Sequence, residues 1–223
     1  MSELLNIYKT LKNKKWVNLS HKIDENSPKF PALPALEKEN VFTLKDGFYV
    51  QKFSVVGQYG THIDAPIHFV EGGRWLDEIE LKDLLLPLYV IDKSAEVAEN
   101  NDYVITKQDI LDFEAEHGEI LPESFVAFRS DWSKRWPSYD EIRNLDENNV
   151  QHTPGWGRDA LEFLIKERNV KAVGHETLDT DSGVHANLDQ VPATGALISV
   201  AYPNWTEATG SPVRVVAILP EDE

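Results

Sequence analysis

Hydrophobic and polar side chains alternate along several short stretches of the chain, and these stretches are rich in aromatic and β-branched residues. Such segments favour β-strands that are buried on at least one face. The pattern predicts strands at residues 16–20, 48–56, 88–92, 125–128, 171–176, 197–202 and 213–219. Apolar residues at helical spacing instead predict helices at 2–13, 80–86, 107–117 and 158–170.

Two segments between these elements follow neither pattern. Residues 24–39 contain Pro28, Pro31 and Pro34, which exclude a regular helix and favour an extended loop. Residues 96–102 are acidic and polar, and we expect a loop there as well. Thr106 and Asp109 have the spacing of a capping box, which marks the start of the helix that ends near His117.

The predicted strands outnumber the helices, and the two kinds of element follow one another in mixed order. This order predicts an α/β fold with a single domain, in which helices pack outside a curved, mixed β-sheet. The 223 residues, 41% of them hydrophobic, can bury one sizeable core. We therefore expect residues 16–223 to form the domain and residues 1–15 to form an N-terminal helical extension.

Composition narrows the classes of partner. The 38 acidic residues exceed the 22 basic ones, and the net charge of −16 repels nucleic-acid phosphates and anionic membranes. We therefore expect neither a nucleic-acid nor a membrane partner. The chain has no cysteine, so any metal must be held by nitrogen and oxygen ligands. It also lacks apolar runs typical of signal peptides or membrane spans, which predicts a cytoplasmic protein.

The strongest chemical signal is the stretch GQYGTHIDAPIHF at residues 57–69. His62 and Asp64 are two residues apart, so in an extended segment their side chains point to the same face and can converge on one cation. Pro66 ends the extended run, and a turn there can bring His68 back towards the same point. Imidazole and carboxylate groups suit zinc, iron or manganese, and a bound cation lowers the pKa of a coordinated water towards neutrality.

A structural interpretation of these residues also exists. A single histidine in a strand is more often a half-buried structural residue than a metal ligand. His-x-Asp alone occurs by chance, so the metal hypothesis depends on the complete motif.

The complete motif, GTHIDAPIHF, resembles the signature of the cyclase family of metal-dependent hydrolases, which includes bacterial kynurenine formamidases and isatin hydrolases. The earlier stretch NLSHKIDENSPKFP is similar to that family's Asp-Leu-Ser-His and Pro-x-x-Pro segments, with Asn18 in the place of the Asp. The likeness extends from about Val17 to Leu219. It implies a swivelling β/β/α-like fold and an amidohydrolase that cleaves an acyl C–N or C–O bond in a small aryl amide, lactam or lactone.

The resemblance also implies roles for individual residues. His62 and Asp64 would bind the metal, and His68 would bind a metal or handle the proton. His185, in DSGVHANL, matches a later family histidine and would act as a ligand or a catalytic residue, with Gln190 as an alternative ligand.

Two positions depart from the kynurenine formamidases. Gln58 replaces a histidine, and its amide oxygen would suit manganese or magnesium better than zinc. Leu197 or Val200 stands where those enzymes have a glutamate. Because each lost ligand leaves charge uncompensated in a partly dry pocket, we expect one divalent ion, Mn or Zn, rather than two.

Other polar residues admit two interpretations. His175, Glu176, Asp179 and Asp181 follow a predicted strand and would either reach the metal or form a solvated acidic loop. Arg129 and Asp131 would bind substrate or pair with each other.

The sequence leaves three functions open. The leading one is a metal-dependent hydrolase acting on a small molecule. The second is a non-catalytic protein that binds a metal or a small molecule, and the third is a metal-assisted cyclase or dehydratase. The family resemblance further implies a homodimer or homotetramer.

Overall fold

The computed structural model describes residues 2–178 and 186–220. The helices are α1 (Glu3–Asn13), α2 (Ser94–Glu99), α3 (Lys107–His117), α4 (Tyr139–Arg143) and α5 (Arg158–Glu167). The strands are β1 (Trp16–Asn18), β2 (Glu37–Phe42), β3 (Val50–Ser54), β4 (His62–Asp64), β5 (Leu85–Asp92), β6 (Val104–Ile105), β7 (Phe125–Arg129), β8 (Gly155–Trp156), β9 (Ala172–Gly174), β10 (Ala196–Ala201), β11 (Gly210–Pro212) and β12 (Arg214–Ile218).

The main sheet has six strands in the order β1-β12-β10-β5-β7-β9. Its first four strands pair antiparallel, whereas β5, β7 and β9 pair parallel. Leu88, in the middle of β5, pairs with Ala196 on one side and Phe125 on the other. This arrangement confirms the predicted single α/β domain with a mixed sheet.

The main sheet separates two hydrophobic cores. Along β5, Leu86 and Leu88 enter the first core, and Tyr89 and Ile91 enter the second. Helices α3 and α5 cover the second core with their buried side chains. Ile63 of β4 packs against the first core. The strand with the metal motif therefore lies on the opposite face of the sheet from α3 and α5.

Three smaller sheets accompany the main one: β11-β4, β2-β3 and β6-β8. In the first, β4 pairs antiparallel with β11, with His62 opposite Pro212 and Asp64 opposite Gly210. In the second, every residue of β2 is exposed and β3 is nearly as exposed. We call residues 37–55, which contain this hairpin, the arm.

Most predicted elements are confirmed. The seven predicted strands are present, with bounds that differ by one to three residues, and α1, α3 and α5 lie where helices were expected. The capping box of α3 is also present. Thr106 Oγ1 accepts a hydrogen bond from the Asp109 backbone N–H, and the Asp109 carboxylate accepts one from the Thr106 backbone N–H.

The helix expected at residues 80–86 is wrong. Leu81–Leu84 forms a short 3₁₀ turn, and β5 begins directly afterwards at Leu85. Pro87 disfavours a helical conformation for the residue before it. The segment around Pro87 also pairs with β10, which holds it extended.

Each of the two predicted loops, at residues 24–39 and 96–102, has one wrong boundary, because a strand or a helix extends into it. The loop expected at residues 24–39 stops early because β2 begins at Glu37. The loop expected at residues 96–102 overlaps α2, which ends at Glu99. That helix forms because Val97 is buried in the second core, and because Asp92 Oδ1 accepts hydrogen bonds from the Ser94 N–H and hydroxyl at its start.

Helix α1 precedes the main sheet and contains no buried residue. Its contact with β1 includes a hydrogen bond from Trp16 Nε1 to the Leu11 carbonyl. The domain boundary after residue 15 stays a prediction. Across residues 2–178 and 186–220, no helix combines the length and apolarity that crossing a bilayer requires.

Candidate metal site

Strand β4 presents the two predicted ligands on one face. Its pairing with β11 keeps residues 62–64 extended, so Ile63 turns to the core while His62 and Asp64 turn together to the opposite side. His62 Nε2 lies 3.6 Å from Asp64 Oδ2, and the two side chains are only 13% and 11% exposed. The same-face arrangement expected from the sequence is confirmed.

The His62 ring is fixed in one orientation. Its Nδ1 lies 2.8 Å from the Gly60 carbonyl oxygen. Because a carbonyl oxygen only accepts, Nδ1 is the donor in this hydrogen bond, and Nε2 is left facing Asp64. The turn that places this carbonyl needs glycine at position 60, where φ is +61° and a Cβ would overlap Ile23.

Asp64 is held in its ionised form. Its Oδ1 accepts a hydrogen bond of 3.2 Å from Gln58 Nε2. Burial alone would raise the pKa of Asp64, but the His62 ring, the Gln58 amide and the charge of the His68 ring outweigh burial and lower the pKa below its usual range. A carboxylate ionised at neutral pH suits a cation site.

Gln58 lies beside Asp64 and close to β11. Its Nε2 is 3.4 Å from Thr209 Oγ1. A Cβ on Gly210 would lie 2.9 Å from Asp64 Oδ1 and would overlap the Gln58 amide, so this approach depends on glycine at position 210. The amide nitrogen of Gln58 faces the carboxylate, and a ligand role therefore requires the amide to turn its oxygen towards the cation.

His68 ends a 3₁₀ turn, Pro66–His68, which follows β4 directly, but its ring does not join His62 and Asp64 in a group of three that could hold a metal within the described residues. The His68 backbone N–H donates to the Ala65 carbonyl at 2.9 Å. The imidazole packs edge-on against Phe69, with 4.3 Å between the ring centroids. His68 is near enough to Asp64 for its charge to help lower the pKa of that carboxyl.

These residues fit part of a metal site. The separation of 3.6 Å between His62 Nε2 and Asp64 Oδ2 exceeds a good hydrogen bond. It is close to the ~3.4 Å that separates two ligands of a tetrahedral ion at about 2.1 Å from each. Within the described part of the chain, no three His, Asp or Glu side chains form a group that could hold a metal. The predicted residue His185, like Asp179 and Asp181, lies outside the described residues.

Glu176 does not share the surroundings of Asp64. Its carboxylate is buried and accepts hydrogen bonds from the Ser130 N–H at 2.7 Å, the Ser130 hydroxyl at 3.0 Å and the Ser133 hydroxyl at 2.6 Å. Burial raises the pKa of Glu176. Nearby, Nδ1 of the buried His175 accepts from the Thr177 N–H at 3.2 Å. Glu176 thus holds the Ser130–Ser133 turn, a role that the sequence did not predict.

Arg129 and Asp131 pair with each other, which is one of their two expected roles. Arg129 Nε donates to Asp131 Oδ1 at 2.9 Å, and the guanidinium also pairs with Asp92. Neither residue lines the cavity beside His62.

His21 is a half-buried polar residue beside the site that sequence reasoning did not single out. Its backbone N–H donates to Thr61 Oγ1 at 3.0 Å, and its ring stacks on Trp136 at 4.3 Å. Its Nε2 is buried and makes no hydrogen bond within the described residues. Burial lowers the pKa of His21 to about 4, so the ring is neutral at pH 7. The only sequence signal for it was the Ser-His pair in NLSHKID.

A cavity of about 330 Å³ borders His62 and Asp64. Phe69, Val70 and Val200 contribute apolar walls, and Val200 is one of the two alternative positions expected to replace the single glutamate of the kynurenine formamidases. A largely apolar cavity next to a polar pair is typical of a small-molecule site.

Comparison with known proteins supplies a family. The family model described as "Putative cyclase" matches residues 17–182. An isatin hydrolase of Roseibium aggregatum is 32% identical, with 88% of this chain and 84% of that protein covered. A kynurenine formamidase of Bacillus cereus is 24% identical, with coverage of 92% and 98%. The crystal structure of an isatin hydrolase bound to the product analogue thioisatinate superposes with a TM-score of 0.89, 28% identity and coverage of 99% and 100%.

Proposed function

The chain belongs to the cyclase family, and on that premise we propose that it is a metal-dependent hydrolase that opens the acyl C–N bond of a small aryl amide or lactam. The observation that carries the proposal is the pair on β4: an imidazole whose Nε2 faces an ionised carboxylate at 3.6 Å, beside an apolar cavity. The names of two relatives, an isatin hydrolase and a kynurenine formamidase, support the same reaction class.

We assign His62 and Asp64 as ligands of one divalent ion, Mn or Zn, with Gln58 and His185 as candidates to complete the set. A bound cation of this kind supplies a water of lowered pKa and a Lewis acid for the scissile carbonyl. Asp64 contributes negative charge, and the Gly60 carbonyl orients His62 through Nδ1. These contacts hold the ligand pair before any cation binds.

His68 is the proposed proton carrier, with His185 as a second candidate. It lies near Asp64 and packs against Phe69, which lines the cavity. A ring nitrogen in this place can take a proton from the attacking water and return it to the leaving nitrogen, a contribution of about 10² to 10⁴ in rate. The apolar walls Phe69, Val70 and Val200 would take the aryl ring and exclude water from it.

The remaining finer expectations are also proposals. A homodimer or homotetramer is supported by the exposed apolar arm, and a cytoplasmic location is supported only by the sequence. The proposed hydrolase activity depends neither on the oligomeric state nor on the cytoplasmic location.

The experiment compares wild type with Asp64→Asn. Purified protein is supplied with Mn²⁺ or Zn²⁺ and assayed with isatin and with an aryl formamide, while elemental analysis measures bound metal. We expect wild type to bind about one ion per chain and to hydrolyse at least one substrate. Asp64→Asn should lose both, because an amide cannot supply the charge that holds the cation.

Asp112→Asn is the matched control, since Asp112 lies on α3, across the main sheet from β4, and accepts a hydrogen bond only from Gln108 of its own helix among the side-chain contacts of the described residues. It should retain metal and turnover. Full activity in folded Asp64→Asn would overturn the metal role. A wild type that binds metal but cleaves none of these substrates would favour a binding protein over an enzyme.

A further inference from the structure

The cavity beside His62 differs in charge from the chain as a whole. The chain has 38 acidic and 22 basic residues. Among the described residues that line the cavity, the only acidic one is Asp64, whereas two are basic, Arg74 and Lys171. Since Asp64 is assigned to the cation, the remaining charges of the lining are both positive. This arrangement favours a ligand with an anionic group.

The guanidinium of Arg74 has its donors available for a ligand. Within residues 2–178 and 186–220, it makes neither an ion pair nor a side-chain hydrogen bond. Arg129, Arg158 and Arg168, by contrast, each pair with a carboxylate. Arg74 is exposed and also lines the cavity, so it lies where the cavity opens to solvent. A guanidinium offers its N–H groups in a planar fork that fits a carboxylate.

Lys171 differs from Arg74 because its ammonium group is already paired. Its Nζ lies 3.3 Å from Asp83 Oδ2 and 3.8 Å from Glu123 Oε1. These two carboxylates offset its charge, and neither of them lines the cavity. Arg74 is therefore the positive group of the lining that can bind an anion without breaking an existing ion pair.

The backbone of Arg74 is held against the turn that follows β4. Its carbonyl oxygen accepts a hydrogen bond of 3.2 Å from the Ile67 backbone N–H. A Cβ at position 73 would lie 2.7 Å from the Pro66 carbonyl carbon, so the chain can approach the turn this closely only with Gly73. The short loop between residues 66 and 74 thus fixes the start of the Arg74 side chain relative to β4.

The size and the walls of the cavity limit the ligand. Its volume of about 330 Å³ lies at the lower end of the roughly 300–1,000 Å³ of small-molecule pockets, which suits one fused ring system with a small substituent. Phe69, Val70 and Val200 offer apolar surface to the ring. A ligand that satisfies the whole lining therefore has an aromatic ring, a group that reacts at the pair on β4 and an anion for Arg74.

We infer that Arg74 determines substrate specificity by binding a carboxylate carried on the aromatic ring of the aryl amide or lactam. The guanidinium donates two N–H groups to the two carboxylate oxygens, while the apolar walls hold the ring. Acidic derivatives are thus preferred over neutral ones. The reaction of such a substrate rests on the proposed function, whereas the anion site rests on the charge and the geometry of the lining.

The first test compares acidic and neutral substrates. Wild type and Arg74→Gln are assayed with isatin, isatin-5-carboxylate and isatin-6-carboxylate in the presence of Mn²⁺ or Zn²⁺. The measured quantity is the kcat/KM of the better acidic substrate divided by the kcat/KM of isatin. We expect this ratio to fall about tenfold or more in Arg74→Gln, chiefly through KM, because an amide lacks the positive charge.

Arg158→Gln is the matched control, since Arg158 lies on α5, across the main sheet from β4, and pairs with Glu162 of its own helix. It should keep the wild-type ratio. The inference is overturned if folded Arg74→Gln also keeps that ratio, or if wild type cleaves isatin and neither acidic derivative.

The second test measures binding without turnover. Indole-5-carboxylate and indole-6-carboxylate keep the fused rings and the acid group but have no acyl C–N bond. Isothermal titration calorimetry should give a Kd for the tighter of the two that is about tenfold or more lower in wild type and Arg158→Gln than in Arg74→Gln. Equal Kd values in wild type and Arg74→Gln, or no binding by wild type, would overturn the anion site.

The two proposals fail in different ways. If wild type cleaves isatin while Arg74→Gln keeps the wild-type ratio and Kd, the specificity inference falls and the proposed function stands. If wild type cleaves none of the isatins but binds an indole carboxylate through Arg74, the anion site stands and the proposed function falls.

Discussion

At the scale of single residues, alternation along a strand is the reason that the same-face arrangement of His62 and Asp64 could be predicted. Positions 62 and 64 must share a face if the segment is extended, whatever the rest of the fold. The identity of the supporting residues could not be predicted in this way. Gly210 lies 146 positions from Asp64, and Thr61 meets His21 across 40 positions. Such contacts depend on the tertiary fold.

The structure leaves two roles for His68, and one substitution separates them. If His68 carries protons, folded His68→Ala should keep its metal while kcat falls by about 10² to 10⁴. Elemental analysis and steady-state kinetics are the measurements.

Loss of metal from His68→Ala would instead identify His68 as a ligand. His117→Ala is the control, because His117 lies on α3, across the main sheet from β4. It should change neither quantity.

At the scale of elements, strands could be predicted where alternation or continuous apolar runs were long enough to bury. The short elements β6, β8 and β11 have two or three residues each and carry too little pattern to be recognised. Strand β2 of the arm was not predicted, because it is exposed on both faces and its sequence therefore has no alternation between buried and exposed residues. The helix predicted at residues 80–86 is wrong because three successive leucines, at 84–86, are compatible with either a buried helix or a buried strand. Here they lead into β5.

The start of α3 offers a prediction at this scale. Asp109 accepts hydrogen bonds from the Thr106 N–H at 2.8 Å and the Tyr103 hydroxyl at 2.7 Å, and it pairs with Lys93 at 3.0 Å. Burial alone would raise the pKa of Asp109, but these partners outweigh burial and lower the pKa to about 2. Asp109→Asn should therefore reduce the free energy of unfolding by about 1–2 kcal/mol at pH 7.

The pH dependence has a definite sign. Because the folded pKa lies below the unfolded value of 3.8, the stabilisation is complete above about pH 4 and is lost as the pH falls towards 2. The free energy of unfolding in urea should therefore be higher for wild type than for Asp109→Asn at pH 4, and this difference should narrow as the pH falls to 2. Asp112→Asn, on an exposed site of the same helix, is the control, and its free energy of unfolding should be almost equal to that of wild type. A difference between wild type and Asp109→Asn that stays constant with pH would contradict the lowered pKa of Asp109.

At the scale of the whole molecule, the mixed order of strands and helices was enough to predict the fold class, and the main sheet confirms it. The strand order of that sheet was not predictable, since β1 pairs with β12 from the opposite end of the chain. The site also joins distant parts of the chain, because β4 is held by β11. Stability of the molecule and occupancy of the site should therefore be linked.

This linkage predicts the effect of metal on thermal unfolding. A ligand that binds only the native state, at a hundredfold excess over its Kd, adds about 2.7 kcal/mol. For a chain of this size the Tm should rise by about 5–10 °C when Mn²⁺ or Zn²⁺ is added to chelator-treated protein. Differential scanning calorimetry of wild type and Asp64→Asn measures the effect, and an equal rise in both proteins would contradict binding at Asp64.

The pairing of β4 with β11 also bears on synthesis of the chain. When residue 68 leaves the ribosome, the nascent polypeptide already contains His62, Asp64 and His68, but the strand that aligns the first two, Gly210–Pro212, has not been translated. The candidate cation site is therefore aligned only after residues 210–212 have been translated. A truncated product that ends before residue 210 would carry the whole motif without its scaffold.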